Sequence, residues 1–142
     1  MSRILIVVSS LFFVALLSAC SSMESMMGGS SDLTGLLTKQ LGVTDKQATG
    51  GVGSMLQLAQ EKLSAGDFDK IAQAIPGSQK YLDSAKQLLG GGKVGNSAGL
   101  TSAFSKLGMS PDMVDKFKPI VTEFVGKTGG EQTKNLLAGA LK

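Results

Sequence analysis

From Leu33 onward the hydrophobic positions recur every three or four residues, the spacing of one helix face. Leu33, Leu36, Leu37 and Leu41 make a short stripe that Gly42 ends. Thr44 followed by Gln47 has the form of a capping box, in which hydroxyl and amide side chains satisfy each other's backbone N–H groups. It predicts a helix to about Leu63, with Val52, Met55, Leu56, Ala59 and Leu63 on one face. Gly50, Gly51 and Gly53 fall inside that helix, each costing about 1 kcal/mol relative to alanine. Three together point to a close helix contact or a frayed start.

Ser64-Ala65-Gly66 breaks the pattern, with Asp67 as the expected N-cap of the next helix. Phe68, Ile71, Ala72 and Ile75 give its stripe, and Pro76-Gly77 stops it. Ser78 is the expected cap of a helix carrying Tyr81, Leu82, Ala85, Leu88 and Leu89. Gly90 to Gly99 is the longest loop and the expected hinge. Leu100, Ala103, Phe104 and Leu107 then form a short helix ended by Gly108. Ser110-Pro111-Asp112 reads as a helix start, and Met113, Phe117, Ile120, Val121 and Phe124 as that helix's inner face. Pro119 predicts a kink or restart near Lys118. Gly129-Gly130 precedes a last helix with Leu136, Leu137, Ala140 and Leu141. No stretch alternates with period two, so the expected fold is all-α, a small bundle of about six or seven short amphipathic helices.

Two stretches echo each other. Leu33 to Thr44 matches Leu100 to Ser110, with Gln40 as one extra residue: short helix, glycine stop, hydroxyl residue, longer helix. Two hairpins of this kind bury their apolar faces by packing together, which predicts two related helix-hairpin halves. Repeats of Leu, Gly and Ser this short also arise by chance, so duplication and coincidence both stay open.

The N-terminal residues follow a different pattern. Arg3 precedes an apolar run from Ile4 to Leu17, and small residues lead into Cys20. Basic start, apolar middle and small residues before a cut site make a secretory signal peptide. Leu17-Ser18-Ala19-Cys20 resembles a bacterial lipobox, which implies cleavage before Cys20, a diacylglyceryl thioether on its thiol and an acylated amino end carrying chains such as palmitate. Residues 1–19 are then a lipoprotein signal peptide. Two other readings compete: an uncleaved transmembrane helix, for which the run is short of about 20 residues, and an ordinary thiol after an ordinary cleavage site. Several acyl chains together give stable anchoring where one gives only marginal binding. Residues 20–32, rich in Ser, Gly and Met, read as a flexible tether, and 33–142 as the helical domain. By resemblance to enteric lipoproteins, Ser21 in place of aspartate implies the outer membrane, facing the periplasm.

Charge and composition narrow the chemistry. Arg3 apart, 13 lysines face 11 acids, a dispersed net +2, which argues against nucleic acid as a partner. Histidine and tryptophan are absent, and with Cys20 acylated neither Ser-His nor Cys-His catalysis can be assembled. Asp67 and Asp69, and Asp112 and Asp115 with Glu123, are the carboxylates close enough to invite an acid or cation reading. Helix-terminal acids among lysines are the simpler account. Gly90-Gly91-Gly92-Lys93 lacks the spacing of a phosphate loop. Lys106, Lys116 and Lys118 read as solvated lysines or a basic patch. No catalytic residue, cofactor or metal site is read from the chain.

Gly50-Gly51-Val52-Gly53, Asp67-Phe68 and Ala74-Ile75-Pro76-Gly77 resemble the bacterial VcgC/VcgE family, a domain of unknown function, as do Phe104-Ser105-Lys106-Leu107-Gly108-Met109 and Asn135 to Leu141. The resemblance implies a small helical envelope domain and brings no catalytic residues. The expected function is that of a non-enzymatic envelope lipoprotein, a tethered binding or scaffolding module with an envelope protein as partner. The alternative is a carrier of an apolar ligand or lipid between its helices. An enzyme using carboxylates alone is a third reading.

Overall fold

The helical periodicity becomes seven helices in a computed structural model that describes residues 31–142. They are α1 (Ser31–Leu41), α2 (Asp45–Lys62), α3 (Ala65–Ala74), α4 (Ser78–Leu89), α5 (Ser97–Lys106), α6 (Asp112–Gly129) and α7 (Glu131–Ala140). No strand occurs among the described residues, and the fold is a small all-α bundle. The first helix begins at Ser31, two residues before its apolar stripe. The expected signal peptide, Cys20 and the expected tether up to residue 30 lie outside the described residues.

The centre of the bundle is α2, which packs against every other helix. Its buried residues, Ala48 and then every position from Gly50 to Ala59, run right round the helix. The three inner glycines mark close approaches, not a frayed start. A Cβ on Gly50 would press on the Leu107 side chain, and one on Gly51 would come 2.7 Å from the Phe117 ring. A Cβ on Gly53 would overlap the Tyr81 carbonyl oxygen, so α4 crosses α2 backbone to backbone there. The expected capping box is present: Gln47 N–H donates to Thr44 Oγ1 (3.2 Å) and Thr44 N–H to Gln47 Oε1 (3.0 Å). Gln47 Nε2 also donates to the Leu107 carbonyl, tying the start of α2 to the end of α5.

The echo in the sequence has a counterpart in space. Leu33 and Leu37 of α1 are buried, as are their matches Leu100 and Phe104 of α5. Gly42 (φ 66°) and Gly108 (φ 76°) turn the chain in the left-handed region that favours glycine, and each is followed by a buried apolar residue, Val43 or Met109. Ala48, Gly51, Met55 and Ala59 of α2 correspond, 66 positions on, to Val114, Phe117, Val121 and Val125 of α6; all eight are buried. Each short helix packs on its own long helix and on that of the other hairpin, α1 against α2 and α6, α5 against α6 and α2. At the centre Phe117 meets Phe104 edge to face, ring centroids 4.9 Å apart.

Several local expectations shift. The cap of α3 is Ser64, whose hydroxyl accepts from Asp67 N–H; Asp67 stands inside the first turn. Gly77 and not Ser78 caps α4. Asn96 caps α5, which shortens the loop from its C-terminal side. Pro119 lies within an uninterrupted α6, on its exposed side, where the lost N–H bond leaves the rest of the ladder running. The innermost face of α6 is Val114, Phe117, Val121 and Val125; Met113, Ile120 and Phe124 flank it, half-buried. Leu36 is 39% exposed.

Candidate functional site

A cluster of side-chain-to-backbone bonds gathers at the C-terminal half of α2. That half carries Gln57 and Glu61, one turn apart, and Lys62 beside them in sequence. Gln57 Nε2 donates to the Gly92 carbonyl at 2.8 Å. The Glu61 carboxylate accepts two successive backbone N–H groups, from Val94 at 3.0 Å and Gly95 at 2.6 Å. Lys62 Nζ donates to the Lys142 carbonyl, which also accepts from Ser97 Oγ. The loop after α4 is therefore strapped to α2 instead of swinging as a free hinge. Val94 anchors it further, with its side chain buried in the core. Gln57 itself is 92% buried by its 8% exposure, and its Oε1 has no partner among the described residues.

The same bonds decide the phosphate-loop question. The N–H groups of Gly90, Gly91 and Gly92 donate to the Gln87, Lys86 and Leu89 carbonyls. Those of Val94 and Gly95 go to Glu61, so the loop turns its donors inward and offers an anion no cradle.

A second polar feature is an open cleft of about 600 Å³ between α3 and the joint of α6 and α7. Lys70, Gln73 and Ala74 line one side, and Thr128 to Thr133 the other. Helix α3 comes close enough that a Cβ on Gly129 would sit 2.7 Å from that of Ala74. Thr133, buried, returns its hydroxyl to the Gly129 carbonyl (2.8 Å), and Lys70 pairs with Asp67 (3.3 Å). This lining supplies hydrogen-bonding and charged groups.

The carboxylates singled out in the sequence do not converge. Asp115 pairs with Lys118 (3.4 Å) on its own helix, and Glu123 reaches Lys134 of α7 (3.5 Å). Asp112 is exposed in the first turn of α6, a favourable place for an acid. Asp67 accepts from the Ser64 hydroxyl (3.0 Å) and from Lys70, and these two bonds, Ser64 first, hold its carboxyl below the ordinary 3.8. Asp69 is exposed. Among the described residues no three acids gather as metal ligands. Lys106 and Lys116 are exposed, and Lys118 is held by Asp115. Cys20, the one residue the sequence assigned a modification, lies outside the described residues.

Sequence reasoning missed Gln57, Glu61 and Val94. The first two look like ordinary polar helix residues, and the third like a lone apolar residue in a glycine loop. Their contacts span about 35 residues of chain, beyond the reach of any local pattern.

Among the described residues no helix is long and apolar enough to cross a membrane. No curated protein and no solved structure matches the chain. One family does match, over residues 16–142, a span that takes in both the Leu17–Cys20 segment and all seven helices. The chain belongs to the VcgC/VcgE family (DUF2780), described as a protein of unknown function.

Proposed function

We propose that the chain is a lipoprotein of the bacterial envelope, anchored through Cys20 and carrying its helical bundle as a non-enzymatic binding or scaffolding module. The observation that carries the reading is Leu17-Ser18-Ala19-Cys20 at the end of a basic-then-apolar leader. Ten residues, Ser21 to Ser30, separate that cysteine from the first helix. Fully extended they span roughly 35 Å, which keeps the bundle close to the bilayer. Ser21 favours the outer membrane, with the bundle in the periplasm. The pairing of Asp67, Asp115 and Glu123 with lysines suits a solvated surface better than a reaction centre. The mechanism is tethering: lipid fixes the location and the helical surface meets an envelope protein.

The test compares the wild-type chain with Cys20→Ala. The wild type should begin at Cys20, weigh more than its polypeptide by a diacylglyceryl group and an acyl chain, and sediment with membranes. The variant should lose the added mass and leave the membrane fraction. Unchanged mass and fractionation would end the proposal. In-cell crosslinking then separates roles: a specific envelope protein captured only by the anchored form supports scaffolding, and co-purifying lipid in its place would turn the reading to a carrier.

A further inference from the structure

We propose that residues 90–95 form a latch on α2, a segment that opens and closes as a unit while the bundle stays folded. Three bonds hold it, all from side chains one turn apart on α2: Gln57 to the Gly92 carbonyl, and Glu61 to the N–H groups of Val94 and Gly95. These are among the few ties between the loop and the bundle; its other backbone bonds join it to its own neighbours, Lys86, Gln87 and Leu89 before it and Asn96 after it. The one apolar tie is the Val94 side chain, 4% exposed. A segment held by so few groups opens at a lower free energy than the helices it lies on.

The helices flanking the segment are independently secured. Gly53 locks α4 against α2 through the Tyr81 carbonyl, and Asn96 caps α5 with its own side chain (2.9 Å to Gly99 N–H). Release of the three bonds therefore leaves both helices formed. It also frees the Gln57 side chain, whose Oε1 is buried with no partner among the described residues, so the closed form carries a polar cost that opening lowers. The open state presents a carboxylate that takes two successive N–H groups and an amide one turn away. That is chemistry for holding an extended backbone, and in the closed state the chain's own Gly92 to Gly95 fills it. The latch does not depend on the Cys20 anchor.

Amide hydrogen exchange of the full chain tests it. The Val94 and Gly95 amides should exchange at least tenfold faster than those of Met55 and Leu56 in α2, at a rate insensitive to low denaturant. Glu61→Ala should accelerate Val94 and Gly95 by a further tenfold or more, leaving Met55 and Leu56 within twofold. Glu61→Gln, which keeps one acceptor oxygen, should fall between. Wild-type exchange of Val94 and Gly95 in step with Met55 and Leu56 would overturn the latch, because the segment would then open only when the bundle unfolds. Acceleration of all four amides alike in both variants would overturn it too.

Discussion

The hairpins α1–α2 and α5–α6 share a local plan and hold different places in the molecule. Both run from a short helix through a left-handed glycine and a buried apolar residue into a helix of 18 residues. Both bury the same four registers of the long helix. Yet α2 is enclosed on every side, whereas α6 buries one face and leaves the other to solvent. The side chains follow: where α2 must admit neighbours on all sides it has Gly50, Gly51 and Gly53, and at the matching registers α6 has Lys116, Phe117 and Pro119. Gly51 and Phe117, counterparts in the two hairpins, are in contact, the large ring filling the space that the absent side chain leaves. Equal patterning therefore specifies equal local structure, and the size of the residue at each register decides which helix becomes the axle and which the wall.

The sharpest break in the comparison is at Gly53 and Pro119, the same register in the two long helices. Alanine at Gly53 would gain about 1 kcal/mol of helix propensity. Its Cβ would meet the Tyr81 carbonyl oxygen, a backbone atom that cannot rotate away, and the best-packed helix pair would have to separate. Overpacking of this kind costs about 3 kcal/mol, so Gly53→Ala should lower stability by roughly 2 kcal/mol net, on propensity and packing together. Pro119→Ala should do the reverse. Its site is exposed and inside a helix, and alanine restores an N–H donor, for a gain of roughly 2 kcal/mol once the stiffer unfolded chain of the proline form is allowed for. Urea denaturation of the full chain reads both. Equal effects of either sign at the two sites would dissolve the distinction between axle and wall.

The helix starts give a finer contrast. Thr44 makes both bonds of a capping box, whereas α6 is capped at Pro111, which has no side-chain bond to give, and Ser110, the match of Thr44, stands one residue before it. Thr44→Ala should cost about 1 kcal/mol, and Ser110→Ala a few tenths at most. The same denaturation curves measure it, and a Ser110→Ala loss as large as that at Thr44 would mean that the hydroxyl caps α6 after all.

These contrasts also show what the sequence could convey. Thr44 and Gln47 were legible because a capping box is complete within four residues. The stripes of α3, α4 and α5 were legible because each buries one face, and a single face leaves a period. Helix α2 defeats that logic: enclosed all round, it has no one face, so Ala48 and Leu58 are as buried as the expected Val52 and Met55. Pro119 does not restart the helix because proline's cost is local, while the packing of Phe117 and Val121 that keeps α6 continuous through it comes from α5 and the other helices of the core. The clasp of Gln57 and Glu61 was illegible for the same reason as Val94. Burial of a loop residue and the partner of a helix glutamate are both set by tertiary contacts that no short window contains.

The smallest effect separates two ion pairs of identical spacing, Asp67 with Lys70 in α3 and Asp115 with Lys118 in α6. Asp67 has a further partner, the Ser64 hydroxyl, and its side chain is 38% exposed against 81% for Asp115. Its carboxyl is held below 3.8, first by Ser64 and then by Lys70. A carboxyl lowered on folding stabilises the folded state in full above its unfolded value, and the contribution is lost as pH falls through the folded value. For Asp67 the loss therefore begins as the pH drops past about 3.8 and is complete below the folded value. An NMR titration of the side chain should place its midpoint under 3.8, and Ser64→Ala should move it back up towards that figure. Asp115→Asn should leave stability unchanged within error, as expected of an exposed pair. A midpoint for Asp67 at or above 3.8 in the wild-type chain would show that neither the Ser64 hydroxyl nor Lys70 draws the carboxyl down on folding, and the cap would then set Asp67 apart in geometry alone.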